Sequence, residues 1–90
     1  MEPQIRHDNN KFYRIDDGME SLLEYEFYGQ STVVFYHTYV PVELRGKGLA
    51  KEIIRQGLEW ARQENLRVIP ACSAVKRFID LHPEYQLSVV

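Results

Sequence analysis

The segment from Ser31 to Ala61 constrains the fold most. Ser31 to Val40 is β-branched and aromatic almost throughout, which predicts a strand buried on both faces. Pro41 ends that strand, because proline cannot donate to a sheet ladder. A loop containing Gly46 and Gly48 follows. Leu49, Ala50, Ile53, Ile54, Gly57, Leu58 and Ala61 then recur at helical spacing, with Lys51, Glu52, Arg55, Glu59 and Arg62 largely on the other side. This pattern predicts an amphipathic helix of about four turns, ending near Asn65. Arg67-Val68-Ile69-Pro70 reads as a short strand. Strand, helix and strand in this order imply a parallel pair with a right-handed crossover. Ligands of such units sit outside the carboxyl ends of the strands. Residues 41–48 and 71–73 both lie there, so the glycine loop and Cys72 are expected to be close in space.

The flanking segments complete an α/β (α+β) domain. Residues 1–10 read as a flexible lead-in and Lys11 to Ile15 as a short strand. Asp16-Asp17-Gly18 suits the positive φ angles of a hairpin turn. From Ser21 to Tyr28, Leu23, Tyr25 and Phe27 alternate with Glu24 and Glu26, as in a half-buried strand. With Gly29-Gln30 as the next turn, the first forty residues form a three-stranded antiparallel meander. After the parallel strand, Ser73 is the expected N-cap of a second helix reaching Leu81, with Val75, Phe78 and Ile79 inward. His82-Pro83 stops it. Tyr85 to Val90 either adds a last strand or covers the core. The predicted order is β-β-β-α-β-α in one domain, residues 1–90, expected as a monomer.

Composition narrows the function. The net charge of −2 supplies no global field to attract nucleic acid or an anionic membrane, so neither is an expected partner. No run approaches the roughly 20 apolar residues of a membrane span, and Met1 to Asn10 is polar, without a signal-peptide core. A cytoplasmic location is expected. Cys72 is the only cysteine, and with three histidines it shows no metal-site spacing, so no metal is expected.

The glycine loop carries the chemistry. Gly46 and Gly48 let the backbone turn and approach a ligand closely. The following helix points free N–H groups and a positive dipole end at the same place. Arg45, Lys47 and Lys51 add cationic charge. This is the physics of a phosphate or pyrophosphate cradle, although a plain strand-to-helix turn also needs glycine. A nucleoside-triphosphate loop would require Ser or Thr after Gly-Lys, and Gly48 stands there. A dinucleotide fingerprint would require glycine at position 51, and lysine stands there.

Arg45-x-x-Gly48-x-Ala50 resembles the Gln/Arg-x-x-Gly-x-Gly/Ala signature of the GNAT superfamily of N-acetyltransferases. Together with His37-Thr38-Tyr39-Val40-Pro41 before the loop and Ile69-Pro70-Ala71-Cys72-Ser73 after the helix, the chain resembles the small single-domain branch of that superfamily over roughly residues 11–85. The resemblance implies an acetyl-CoA-binding domain that transfers acetyl from acetyl-coenzyme A, as co-substrate, to an amine or protein acceptor. It implies that Arg45, Gly46, Lys47, Gly48, Leu49 and Ala50 hold the coenzyme A pyrophosphate. Tyr39 and Val40 would pair with the pantetheine arm. Lys51, Lys76 and Ser73 would complete the cofactor contacts. Cys72 would lie near the thioester, as a nucleophile or as a small packed residue. His37 shares a face with Val33, Phe35 and Tyr39 by strict alternation, either as a packed core histidine or as a general base. Larger members carry helices before the meander and strands after the second helix that wall the acceptor site. This sequence shows neither, which leaves a second reading open: a non-catalytic coenzyme A or acetyl-CoA sensor.

Overall fold

The computed structural model describes residues 3–90. It contains β1 (Arg6–Asp8), β2 (Lys11–Asp16), β3 (Met19–Tyr28), β4 (Thr32–Tyr39), α1 (Leu49–Gln63), β5 (Arg67–Pro70) and α2 (Ser73–Leu81). Tight helical turns at Val42–Leu44 and Pro83–Ser88 complete it. The five strands form one sheet in the order β1-β2-β3-β4-β5. The first four pair antiparallel and β5 pairs parallel to β4, as the crossover requires.

The meander therefore has four strands rather than three. The expected flexible lead-in contains β1, which pairs Arg6 with Tyr13 and Asp8 with Lys11. Alternation over only three residues carries almost no signal, so β1 is held by tertiary contacts. The His7 ring stacks on Phe12 at 3.9 Å, meets Trp60 edge-on at 4.9 Å, and bonds the Tyr25 hydroxyl at 2.6 Å. Burial lowers the His7 pKa, against the opposing pull of Asp8. The fold thus favours neutral His7, and the unfolded chain binds the proton more readily. This contribution is complete above the ordinary histidine range and is lost as pH falls through the lower folded value. The Tm should fall between about pH 7.5 and about pH 5.5, and less steeply in His7→Phe, which keeps the stack but cannot titrate. Parallel thermal melts of the two proteins check this, and identical slopes would remove His7 from the account.

Both helices pack on one face of the sheet. Phe12, Leu23, Tyr25, Val33 and Phe35 meet Ile53, Ile54, Leu58 and Ala61 of α1 and Val75, Phe78 and Ile79 of α2 in one core. The expected inward faces of both helices are those observed. The hairpin turn is as expected, with positive φ at Asp17 and Gly18. Residues 83–88 are a helical turn and not a strand. Tyr85 is buried, its hydroxyl donates to Glu59 at 2.7 Å, and Val89 makes a single parallel bridge to Val68.

One departure decides the geometry of β4. Tyr25 pairs with Phe35, but Glu24 pairs with His37, so Tyr36 is an extra residue, a bulge. A bulge reverses the face of every residue beyond it. Thr38, paired with Leu23, takes the helix-side face, and His37 and Tyr39 turn to the uncovered side. The expectation of a strand buried on both faces fails because both helices lie on one face and the other is uncovered; the bulge decides which residues face each side. Only Val33 and Phe35 of β4 are buried, while Tyr36, His37 and Tyr39 are exposed. The uncovered face carries Glu24 and Glu26, and burial together with these two carboxylates raises the Tyr36 pKa.

Candidate functional site

The bulge also ends the β4–β5 ladder. Its last pair is Phe35 with Pro70, after which the Cys72 N–H donates to the Phe35 carbonyl at 3.0 Å. The Ala71 N–H turns back to the Ile69 carbonyl, which takes the chain off the sheet. Beyond this point β4 continues beside β3 alone, so its other main-chain edge faces a notch between the two strand ends.

The glycine loop begins where β4 stops. Gly46 and Gly48 have φ of 82° and 79°, values that side chains rarely tolerate. A Cβ built at either glycine would meet no atom within 4 Å, so the loop presents its backbone to open space. Gly48 is the N-cap of α1, and no side chain caps that helix. The first-turn N–H groups have no intrahelical acceptors, which makes this helix end a site for an anion. Glu52, the acid of the first turn, is drawn to Arg14 at 3.2 Å. A cleft of about 320 Å³ lies here, lined by Val40, Leu44, Arg45, Gly46, Gly48, Leu49, Ala50 and Lys51. Ala50 and Lys51 also border a largely apolar groove of about 360 Å³ between the helices, with Ala74, Arg77 and Phe78 among its walls.

Most of the expected loop residues thus line one cleft, with two qualifications. The Arg45 side chain donates through Nε to the Val40 carbonyl at 2.9 Å, tying the loop to the end of β4. Lys47 lines a separate polar cleft with Arg14, Asp16, Asp17 and Glu52. Tyr39 projects to the uncovered face, and only its main chain remains beside the notch. His37 is exposed, not packed in the core, and lies opposite Glu24 across the ladder.

Cys72 takes the N-cap position of α2 that was expected of Ser73, which is instead the first helical residue and exposed. The Cys72 thiol is half-buried, and Sγ donates to Thr38 Oγ1 at 3.3 Å. Burial pushes the thiol pKa up. The Thr38 hydroxyl and the N–H groups of Ala74, Val75 and Thr38 pull it down, and together they prevail, so the net shift is downward. The two helix N–H groups act at a distance, because neither completes a capping bond to the sulfur. Oriented dipoles at a helix N-terminus favour the thiolate in this manner.

Two residues outside the sequence reading belong to this region. Thr38 was missed because a bulge leaves no mark in an alternating pattern. Arg77 was legible: Ala74, Arg77, Phe78 and Leu81 follow helical spacing on one face. Lys76, the residue expected to serve, is one step off that face and exposed. No group of metal-ligating side chains occurs among the described residues. Among them, no helix is long and apolar enough to cross a membrane.

Comparisons with known proteins agree with this architecture. Residues 11–88 match the family model of the GCN5-related N-acetyl-transferases. Protein NATD1 of Danio rerio is 31% identical over 68 residues, covering 73% of this chain and 62% of that protein. Protein NATD1 of Bos taurus is 33% identical over 63 residues, covering 70% of this chain and 56% of that protein. The chain thus spans roughly three fifths of the length of these relatives. A Staphylococcus aureus structure described as a GCN5-like N-acetyltransferase superposes with a TM-score of 0.79 at 31% identity, covering 97% of this chain and 87% of that one. The family match over most of the sequence, with the same fold and the uncapped glycine-loop helix, shows that the chain belongs to the GCN5-related N-acetyltransferases.

Proposed function

We propose that the protein transfers the acetyl group of acetyl-coenzyme A to an amine, with Cys72 as the acyl carrier. The observation that carries this reading is the cleft at the uncapped start of α1, opening at Val40, two residues from the Thr38 that touches Cys72. The residues present fit the donor. The main chain of Gly46 to Ala50 meets the pyrophosphate, with Lys51 and Arg77 adding charge. The free edge of β4 at Tyr39 and Val40 pairs with the amide groups of the pantetheine arm, as an extended peptide adds to a sheet edge.

The Cys72 thiolate attacks the thioester carbonyl carbon. A new carbon–sulfur bond forms, and the bond to the coenzyme A sulfur breaks, releasing coenzyme A as its thiolate. The acceptor nitrogen then bonds the acetyl carbon, and the bond to Cys72 breaks, restoring the thiolate. The proton lost by the amine ends on the released coenzyme A. Two easier steps replace one difficult step. The sheet separates His37, on the uncovered face opposite Glu24, from the sulfur on the helix side, so the scheme gives His37 no proton to carry.

Rapid-quench intact-mass measurement with acetyl-coenzyme A tests the scheme. A transient adduct of about 42 Da is expected on the wild-type protein and none on Cys72→Ala. Turnover with a reactive amine should fall on the order of 100-fold in that variant. No adduct with undiminished turnover in Cys72→Ala would replace the carrier by direct attack of the amine. Saturable binding without product across amine and protein panels would favour the sensor reading instead.

A further inference from the structure

We propose that Thr38 is the positioning residue of Cys72, holding its sulfur at the point where β4 and β5 part. The inference rests on the acyl-carrier reading for its purpose, but not for its test. Two independent features place Thr38 there. The bulge at Tyr36 reverses the strand and turns the Thr38 side chain to the helix side. The Cys72 N–H bond to the Phe35 carbonyl then brings the start of α2 against that side chain, leaving Sγ 3.3 Å from Oγ1.

The chemistry gives this contact more than a packing role. The groups that bear on the sulfur are the Thr38 hydroxyl and the N–H groups of Ala74, Val75 and Thr38, and all are neutral. From β4, the side chain of His37 points to the other face. Lys76 of α2 and Lys51 of α1 are exposed and are not among the groups that bear on the sulfur. Many reactive cysteines borrow a neighbouring cation. Here a hydroxyl serves in its place. It accepts a bond from the thiol, and after ionisation it can reverse its rotor and donate to the thiolate. Hydrogen bonds to a charged group are the stronger kind, so the contact tightens when the sulfur ionises. The same bond limits rotation of the cysteine side chain and so fixes the direction of attack. A valine has nearly the same shape but no hydroxyl, whereas a serine has the hydroxyl without the methyl.

The test is the pH profile of Cys72 alkylation by iodoacetamide in the full chain, without coenzyme A. Cys72 is the only cysteine, so the adduct mass reports one site. Thr38→Val should displace the profile to higher pH and slow alkylation at neutral pH by about tenfold, the worth of one charge-assisted hydrogen bond. Thr38→Ser should restore most of the wild-type profile. Circular dichroism establishes that each variant is folded, and if Thr38→Val does not fold, Thr38→Ala takes its place. A profile unmoved in the folded variant lacking the hydroxyl overturns the proposal, as does a displacement in Thr38→Ser equal to that in Thr38→Val. Because no acyl donor is present, these outcomes are independent of whether the protein transfers acetyl groups.

Discussion

On the proposed reading, coenzyme A should raise the Tm of the native protein, and Gly48→Glu should abolish that rise. A ligand that binds only the folded state at a hundred times its Kd stabilises that state by about 2.7 kcal/mol. For a domain of this size that raises the Tm by about 10 °C or more. Position 48 is where the first free amides of α1 face the cleft. A glutamate there sets a carboxylate against the phosphates and adds a side chain at φ 79°, where the glycine has none. That side chain meets no protein atom near its base, so the variant still folds, with its own Tm lowered by strain. Gly48→Asn separates the two effects. Asparagine tolerates the left-handed region and carries no charge, so it retains the larger part of the ligand-induced shift. Thermal melts with and without coenzyme A give the result, and a full shift in Gly48→Glu would remove the loop from the binding site.

Gly57→Leu is the second large effect, and it acts on the fold. Gly57 lies in the middle of α1 on the face against the sheet, and it is buried. A Cβ there would approach Leu23 Cδ2 to 2.8 Å and Phe35 Cε1 to 3.3 Å. Leu23 and Phe35 are both 0% exposed, so neither can move outward. The missing side chain is what lets the helix lie so close to β3 and β4. Leucine should cost about 3 kcal/mol or more through overpacking, and lower the Tm by about 12 °C or more. Gly57→Ala should destabilise less, by about 1 kcal/mol, because its methyl already meets the immobile Leu23 side chain at 2.8 Å while helix propensity offsets only about 1 kcal/mol of the overpacking. Denaturation midpoints for the three proteins check this ordering. A leucine variant as stable as the wild type would mean that α1 does not sit as described.

How much was legible depended on the length of the pattern. The two helices and the strands of the meander from Lys11 onward have enough residues for a period to emerge, and their inward faces follow from it. β1 has three residues and emerged only from the stack of His7 on Phe12. Arg77 was available from helical spacing, which groups it with Ala74, Phe78 and Leu81 and leaves Lys76 one step off that face. The N-cap of α2 was displaced by one residue because serine has the stronger capping preference, while the bond from Cys72 N–H to Phe35 O fixes the chain one residue earlier.

From the sequence alone came the turning glycines of the loop, the amphipathic helix after them and the crossover to a parallel strand. These place a helix end suited to an anion and Cys72 at the same end of the sheet, since backbone sterics and hydrophobic period are local properties. The tertiary structure alone decided which side chains meet there. One extra residue at Tyr36 reverses the remainder of β4, sends His37 to the uncovered face and sets Thr38 against the sulfur. A bulge is a property of two paired strands, so neither strand records it by itself.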